Sequence, residues 1–106
     1  MEAIISALEE EKKQANRLLN RYQKELKNLP NGSFFTRKRG ERTYCYITYS
    51  VAGEIRQDYL GRLSDNKIQE YLAMMKRKKK LKELIRQAEK QKTFLEKSIN
   101  YARKKG

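Results

Sequence analysis

Aromatic and cationic side chains are interleaved in the middle of this chain. Six of its ten aromatic residues fall between Gly32 and Gly61, and five Lys or Arg residues share that stretch. The six aromatic residues are Phe34, Phe35, Tyr44, Tyr46, Tyr49 and Tyr59. Because cations bind phosphates and flat rings stack on bases, this combination is typical of a surface that holds nucleic acid.

Tyr44 and Tyr46 alternate along one segment, so in a strand they point to the same face. We expect that face to carry Arg42 and Arg56 as well. Exposed rings beside guanidinium groups form a stacking platform for unpaired bases or an adhesive patch for a protein partner. Cross-strand packing inside a small sheet is the alternative interpretation of the same two rings.

A second cationic cluster surrounds Gly40 and comprises Arg37, Lys38, Arg39 and Arg42. At the tip of a hairpin, such side chains can enter a DNA groove and bind phosphates or guanine edges. Charged residues are also ordinary at hairpin tips, so both interpretations stay open.

The third cluster is a basic run with no apolar residue between Met75 and Leu81. Repulsion between neighbouring cations is unfavourable in an isolated helix, whereas a phosphate backbone would relieve it. A solvated helix face, with Glu70 and Glu83 as local partners, is the alternative. The run consists of Lys76, Arg77, Lys78, Lys79, Lys80 and Lys82.

Residues for catalysis are scarce. The chain has no histidine and one cysteine, which leaves too few of the usual zinc ligands and no imidazole for acid–base chemistry. Asp58, Asp65 and Glu70 show no spacing that distinguishes a metal site from surface charge. We therefore predict no catalytic residue, no metal, no cofactor and no enzymatic activity.

Length and charge narrow the class of protein. The chain has 106 residues, of which 38% are hydrophobic, and we predict a single domain over residues 1–106. The formal net charge of +13 favours a polyanionic partner, namely DNA, RNA or an anionic membrane, although a solubilising surface is the plainer explanation. No stretch is apolar enough to span a bilayer, and the N-terminal residues do not resemble a leader. We expect a soluble cytoplasmic protein whose partner is nucleic acid or a nucleoprotein complex and not a membrane.

The elements that position these clusters follow from periodicity. Apolar residues recur at helical spacing over residues 1–29 and about 66–103, and at alternating spacing over about 33–61. The helical stripes include Ile4, Leu8, Ala15, Leu18, Tyr22 and Leu72. We predict an α+β fold: an antiparallel, coiled-coil-like two-helix hairpin with a three-stranded antiparallel β-meander inserted between the helices.

The two faces of the meander depend on its turns. Three-residue loops, Lys38-Arg39-Gly40 and Val51-Ala52-Gly53, would fix the register, whereas a two-residue second loop would exchange the faces of the third strand. With three-residue loops, one face carries Phe35, Cys45, Ile47, Tyr49, Ile55 and Tyr59. The other carries Phe34, Thr36, Arg42, Tyr44, Tyr46, Thr48 and Arg56. The apolar run around Cys45 predicts a buried thiol.

Two resemblances add to this interpretation. Leu-Pro-Asn-Gly-Ser at 29–33, Tyr-Cys-Tyr-Ile-Thr-Tyr at 44–49, Gly53 and Tyr-Leu-Gly at 59–61 resemble a family of small uncharacterised bacterial and phage proteins. That resemblance implies a helix, a tyrosine-rich meander and a charged helix, and no activity. A sheet before a helix also resembles, more weakly, the arm-type DNA-binding domains of phage integrases, which implies a DNA partner.

Together these features predict a non-enzymatic nucleic-acid-binding module that uses the hairpin tip, the basic run, Arg56, Tyr44 and Tyr46. The alternatives are a phage-encoded inhibitor of a nucleoprotein such as a CRISPR effector, acting in the host cytoplasm, and a coiled-coil oligomerisation module. Helical stripes serve pairing within and between chains alike, so a homodimer stays open. The sequence distinguishes neither DNA from RNA nor single from double strands.

Overall fold

The computed structural model describes residues 1–105 and contains two helices and three strands within that range. The order is α1 (Glu2–Asn28), β1 (Ser33–Arg39), β2 (Arg42–Val51), β3 (Glu54–Gly61) and α2 (Asp65–Lys105). This confirms the predicted α+β fold, with an antiparallel sheet between two helices in the sequence. The element bounds lie within about two residues of those expected, the usual uncertainty at element ends.

Local chemistry accounts for the helix ends. Pro30 disfavours helical geometry at Leu29, and α1 ends one residue earlier, at Asn28. At the start of α2, the Ser64 hydroxyl accepts a hydrogen bond from the Lys67 amide at 3.2 Å. A serine at the N-cap position makes this contact. The sheet lies between these two helix ends in the sequence, over residues 33–61.

The chain divides into two compact units. We call residues 1–26 with 80–105 the helix unit and residues 27–79 the sheet unit. The division falls within α2, so the basic run contributes residues 76–79 to the sheet unit and residues 80–82 to the helix unit. The prediction of a single domain stays a prediction.

In the helix unit, α1 and the second part of α2 pair in antiparallel fashion. Lys12 lies 3.5 Å from Glu96, and Glu9 pairs with Arg103, so the two helices run in opposite directions. The buried positions of α2 include a seven-residue repeat, as in coiled coils. They are Leu81, Ala88, Leu95, Ile99 and Ala102, and the buried residues of α1 are Ala15 and Leu19.

Some members of the apolar stripes lie outside this packing. Ile4 and Leu18 of the helix unit are exposed. Leu72, in the sheet unit, is exposed as well. Helical spacing alone therefore predicted a wider apolar stripe than the one that is buried.

In the sheet unit, the strands lie in the order β1-β2-β3, and both turns contain two residues. Arg39 pairs with Arg42 across Gly40-Glu41, and Val51 pairs with Glu54 across Ala52-Gly53.

The backbone angles identify the type of each turn. Ala52 and Gly53 have φ values of 51° and 84°. Two successive positive φ values are the pattern of a type I′ turn. Gly40 has a φ of 64°, and Glu41 is not in the left-handed region. That combination is the pattern of a type II′ turn.

The predicted three-residue loops are therefore wrong, and the faces of β1 and β3 are exchanged relative to β2. Phe34 pairs with Ile47, and Phe35 pairs with Tyr46. Side chains directly opposite each other share a face. We call the face that carries Phe34 and Cys45 the inner face, and the other the outer face. Two-residue primed turns match the twist of the strands, which explains why they form here.

The first part of α2 packs on the inner face at Phe34. The Phe34 ring stacks on Tyr71 with 4.8 Å between centroids, and the Phe34 amide donates to the Met75 Sδ at 3.4 Å. Cys45 is fully buried, which confirms the predicted buried thiol. Phe34 and Cys45 are the buried residues of the sheet, and both lie on this face.

Gly32 shapes the connection between α1 and β1. Its φ is 98°, and a Cβ there would lie 2.3 Å from the Thr48 carbonyl oxygen. Lys78 also fixes this segment, because its Nζ donates to the carbonyl oxygens of Pro30 and Gly32 at 3.2 and 2.9 Å. The start of β1 is therefore held in a defined position against the first part of α2.

Candidate nucleic-acid interface

Four aromatic rings come together on the outer face of the sheet. Phe35 and Tyr46 stack with centroids 5.3 Å apart, and Tyr46 lies 5.3 Å from Tyr59. Tyr44 lies 6.1 Å from the same Tyr59 ring. Tyr59 is 54% exposed and the other three are partly exposed, so ring surface is accessible to a ligand. We call Phe35, Tyr44, Tyr46 and Tyr59 the ring cluster.

Register explains the cluster. Phe35, Tyr46 and Tyr59 are consecutive cross-strand partners, and they form a row across β1, β2 and β3. A bulge follows at Cys45/Tyr46, where Cys45 pairs with Gly61 and leaves Leu60 as the extra residue. Cross-strand aromatic packing and an exposed ring surface therefore coexist in this cluster, and the two interpretations of Tyr44 and Tyr46 are compatible.

Arg37 is held directly over the ring cluster. Its guanidinium carbon lies 5.5 Å from the Phe35 centroid and 5.6 Å from the Tyr46 centroid. Both distances are within cation–π range. Arg37 pairs with Tyr44 in the register, and its side chain is exposed. The rings therefore orient the guanidinium at a position where a ligand can reach it.

Two further arginines extend this surface toward the first hairpin. Arg39 and Arg42 are direct cross-strand partners, and alternation places both on the outer face with Arg37. Both are exposed. Like charges directly opposite each other are destabilising in a sheet, and a bound anion would offset that repulsion. Arg37, Arg39 and Arg42 together are the arginine cluster.

Other cations of the predicted site do not belong to this face. The register and strand alternation place Lys38 and Arg56 on the inner side of the sheet, so the expectation that Arg56 shares a face with Tyr44 and Tyr46 is wrong. Arg56 instead lies 3.9 Å from Glu54. Beside it, hydrogen bonding to the Asp58 carboxylate raises the pKa of the Tyr49 hydroxyl above its ordinary value.

Phe34, Thr36 and Tyr59 also exchange faces relative to the prediction. Phe34 and Thr36 lie on the inner face, whereas Phe35 and Tyr59 lie on the outer one. The sequence interpretation missed Phe35 and Tyr59 as members of the site. The signal that identifies them is the length of the two turns. The two-residue turn Gly40-Glu41 sets the register of β1 and so places Phe35, and the two-residue turn Ala52-Gly53 sets that of β3 and so places Tyr59.

The basic run of α2 is exposed at every position except one. Lys78 is partly buried, and its ammonium donates hydrogen bonds to backbone carbonyls. The expected local carboxylates have other partners: Glu70 lies 3.4 Å from Lys67, and Glu83 pairs with Arg86. The hydrogen bond from Arg86 lowers the pKa of the Glu83 carboxyl. The exposed residues are Lys76, Arg77, Lys79, Lys80 and Lys82.

Two features of residues 1–105 bear on other kinds of site. No helix in this range is long and apolar enough to cross a membrane. Within the same range, no three or more His, Cys, Asp or Glu side chains are grouped so as to hold a metal ion.

Comparison with known proteins gives one family. Residues 1–70 match the family described as Domain of unknown function (DUF6788). The match covers more than half of the chain, so the chain belongs to this family. The matched span contains α1 and all three strands, and it ends before the basic run. No curated protein and no solved structure matches the chain. The resemblance to phage and bacterial proteins in particular stays a prediction.

Proposed function

We propose that this protein is a non-enzymatic nucleic-acid-binding module. The observation that carries the proposal is the shared outer face, on which the arginine cluster and the ring cluster lie side by side. Guanidinium groups bind phosphates through charge-assisted hydrogen bonds, and aromatic rings contact bases. The net charge of +13 supports the same class of partner through long-range attraction.

The basic run contributes in a different way. Lys76 and Lys79 lie three residues apart on α2, so they occupy neighbouring positions on one side of the helix. Lysines at such positions neutralise phosphates without reading bases. They raise affinity for any nucleic acid, whereas the arginine and ring clusters provide the geometrically defined contacts.

A titration against salt tests this proposal. The affinity for a fluorescent single-stranded oligonucleotide and for a duplex is measured over a range of ionic strength. Each neutralised phosphate adds about 0.7 to the salt slope for a single strand and about 0.9 for a duplex. Replacing Arg37, Arg39 and Arg42 by Gln should therefore lower the single-strand slope by about 2 and weaken binding.

The matched control changes three exposed arginines outside the arginine cluster. Replacing Arg17, Arg21 and Arg56 by Gln removes the same number of positive charges from the +13 of the parent. We expect this variant to keep most of the affinity and slope of the parent. Equal losses in both triple variants would contradict a defined site. Absence of binding to either nucleic acid at low salt would reject the proposed function and favour a protein partner.

A further inference from the structure

The ring cluster exposes apolar surface to solvent on the outer face. On a sheet face that binds no ligand, polar side chains would normally occupy these positions. Besides Tyr59, the outer face carries Ile55, which is 81% exposed. Exposed aromatic surface costs free energy in water, and contiguous apolar patches on a protein mark binding sites. The buried residues of the sheet, Phe34 and Cys45, both lie on the inner face, whereas every outer-face residue is at least partly exposed. Core packing therefore does not account for the ring cluster.

The arrangement on the outer face is ordered in rows. Phe35, Tyr46 and Tyr59 form the first row, and Arg37 with Tyr44 forms the next. Arg39 and Arg42 form a third row at the hairpin end. Rows on one face are separated by two residues, or about 7 Å. A surface for stacking therefore lies beside a surface for phosphates, in a fixed order along β1 and β2.

The order of rings and arginines on the outer face suits single-stranded and duplex nucleic acid differently. In a duplex the base faces are stacked on one another, and the protein meets phosphates, sugars and base edges. Arginines suffice for those contacts, and exposed rings gain little from them. In a single strand each base can splay out and offer a π-face to an aromatic side chain. Only the unpaired form uses both the rings and the arginines of the outer face.

We infer that the outer face binds single-stranded nucleic acid, with bases stacked on the ring cluster and phosphates bound by the arginine cluster. This inference rests on the proposed function and names its substrate class. Tyr59 is the principal stacking ring, because it is the most exposed member of the cluster. Arg37 lies over the rings of Phe35 and Tyr46 and adds a planar cation beside the stacking surface.

Binding of Tyr59→Ala to three labelled probes tests the inference. The probes are an unstructured DNA strand and an unstructured RNA strand of about 12 nucleotides, and a duplex of the same length. The parent should bind at least one single strand more tightly than the duplex. Loss of one stacked base corresponds to about 1 to 3 kcal/mol, so Tyr59→Ala should weaken single-strand binding by about 5- to 150-fold. Duplex affinity should change by less than about twofold, because the base faces of a duplex are not available for stacking.

The chain offers matched controls for the loss of an exposed ring. Phe94 and Tyr101 on α2 are 67% and 64% exposed and lie in the helix unit. Phe94→Ala and Tyr101→Ala should leave single-strand affinity unchanged. Equal effects of Tyr59→Ala and Phe94→Ala would overturn the inference.

A second readout uses the unmodified protein and so does not depend on how a variant folds. The chain contains seven tyrosines and no tryptophan, so its intrinsic emission comes from tyrosine. Stacked bases should quench this emission when a single strand binds, and the duplex should not. Duplex binding as tight as single-strand binding, or quenching of equal size by both, would overturn the single-strand inference and leave the proposed function intact. Failure of all three probes to bind at low salt would reject both.

Discussion

Lys78 stabilises the segment that joins α1 to β1. Its ammonium donates to two carbonyl oxygens, those of Pro30 and Gly32, in a partly buried position. Hydrogen bonds that involve a charged group contribute about 1.5 to 3 kcal/mol, more than neutral ones. Although Lys78 lies in the middle of the basic run, its ammonium is hydrogen-bonded within the sheet unit. This contact distinguishes Lys78 from the exposed residues of the run.

Lys78→Met should lower the free energy of unfolding by about 1 to 3 kcal/mol, because the carbonyls of Pro30 and Gly32 lose their donor. Methionine keeps most of the apolar stem, so the loss reports on the ammonium. The exposed neighbour offers a control: Lys79→Met removes the same charge and should change stability by less than about 0.5 kcal/mol. Denaturant unfolding measures both. Equal stabilities of the two variants would show that the Lys78 hydrogen bonds contribute nothing.

At the residue scale, the sequence predicted the burial of Cys45 but not the partners of Lys78. Cys45 was correctly expected to be buried, since the strand around it is strongly apolar. The sequence could not distinguish Lys78 from Lys76 or Lys79. The hydrogen bonds of Lys78 are to two backbone carbonyls in a segment more than forty residues away in the chain. Tertiary contacts of this kind leave no local pattern.

The hairpin turns decide which residues form the candidate site. A two-residue turn at Ala52-Gly53 places Tyr59 beside Tyr46, and a three-residue loop would place it on the inner face. The sequence identified the strands and their order, because alternation and turn glycines are local signals. It did not identify the register, because Ala is an uncommon first residue of a type I′ turn and the Asn-Gly signature is absent there.

The type I′ turn carries a strained residue. Ala52 has a φ of 51°, a conformation that costs a non-glycine residue about 1 to 2 kcal/mol and that Asn tolerates better. Ala52→Asn should therefore stabilise the protein by about 0.5 to 1 kcal/mol, or roughly 2 to 6 °C in Tm. Ala52→Val should destabilise it, since β-branched residues fit poorly at positive φ. Thermal melts followed by circular dichroism give the order. A lower Tm for the Asn variant than for the parent would contradict the type I′ assignment.

At the scale of the whole molecule, the net charge and the candidate site differ in extent. The formal charge of +13 belongs to the entire chain, whereas the arginine cluster and the ring cluster lie within the three strands of the sheet unit. The family match to residues 1–70 includes these strands in full. The overall charge predicted a polyanionic partner. The register of the sheet identifies the surface that we propose for that partner.

The most direct measurement of that surface is a nuclear magnetic resonance titration of the isotope-labelled protein with a single-stranded oligonucleotide. Stacked bases shift the ring resonances of the aromatic side chains they cover, so each ring reports on its own contact. The largest ring shifts are predicted at Tyr59 and Tyr46, with small shifts at Phe94 and Tyr101 in the helix unit. Saturable binding with the largest shifts at Phe94 and Tyr101, or with no shift at Tyr59, would contradict the assignment of the outer face as the nucleic-acid interface.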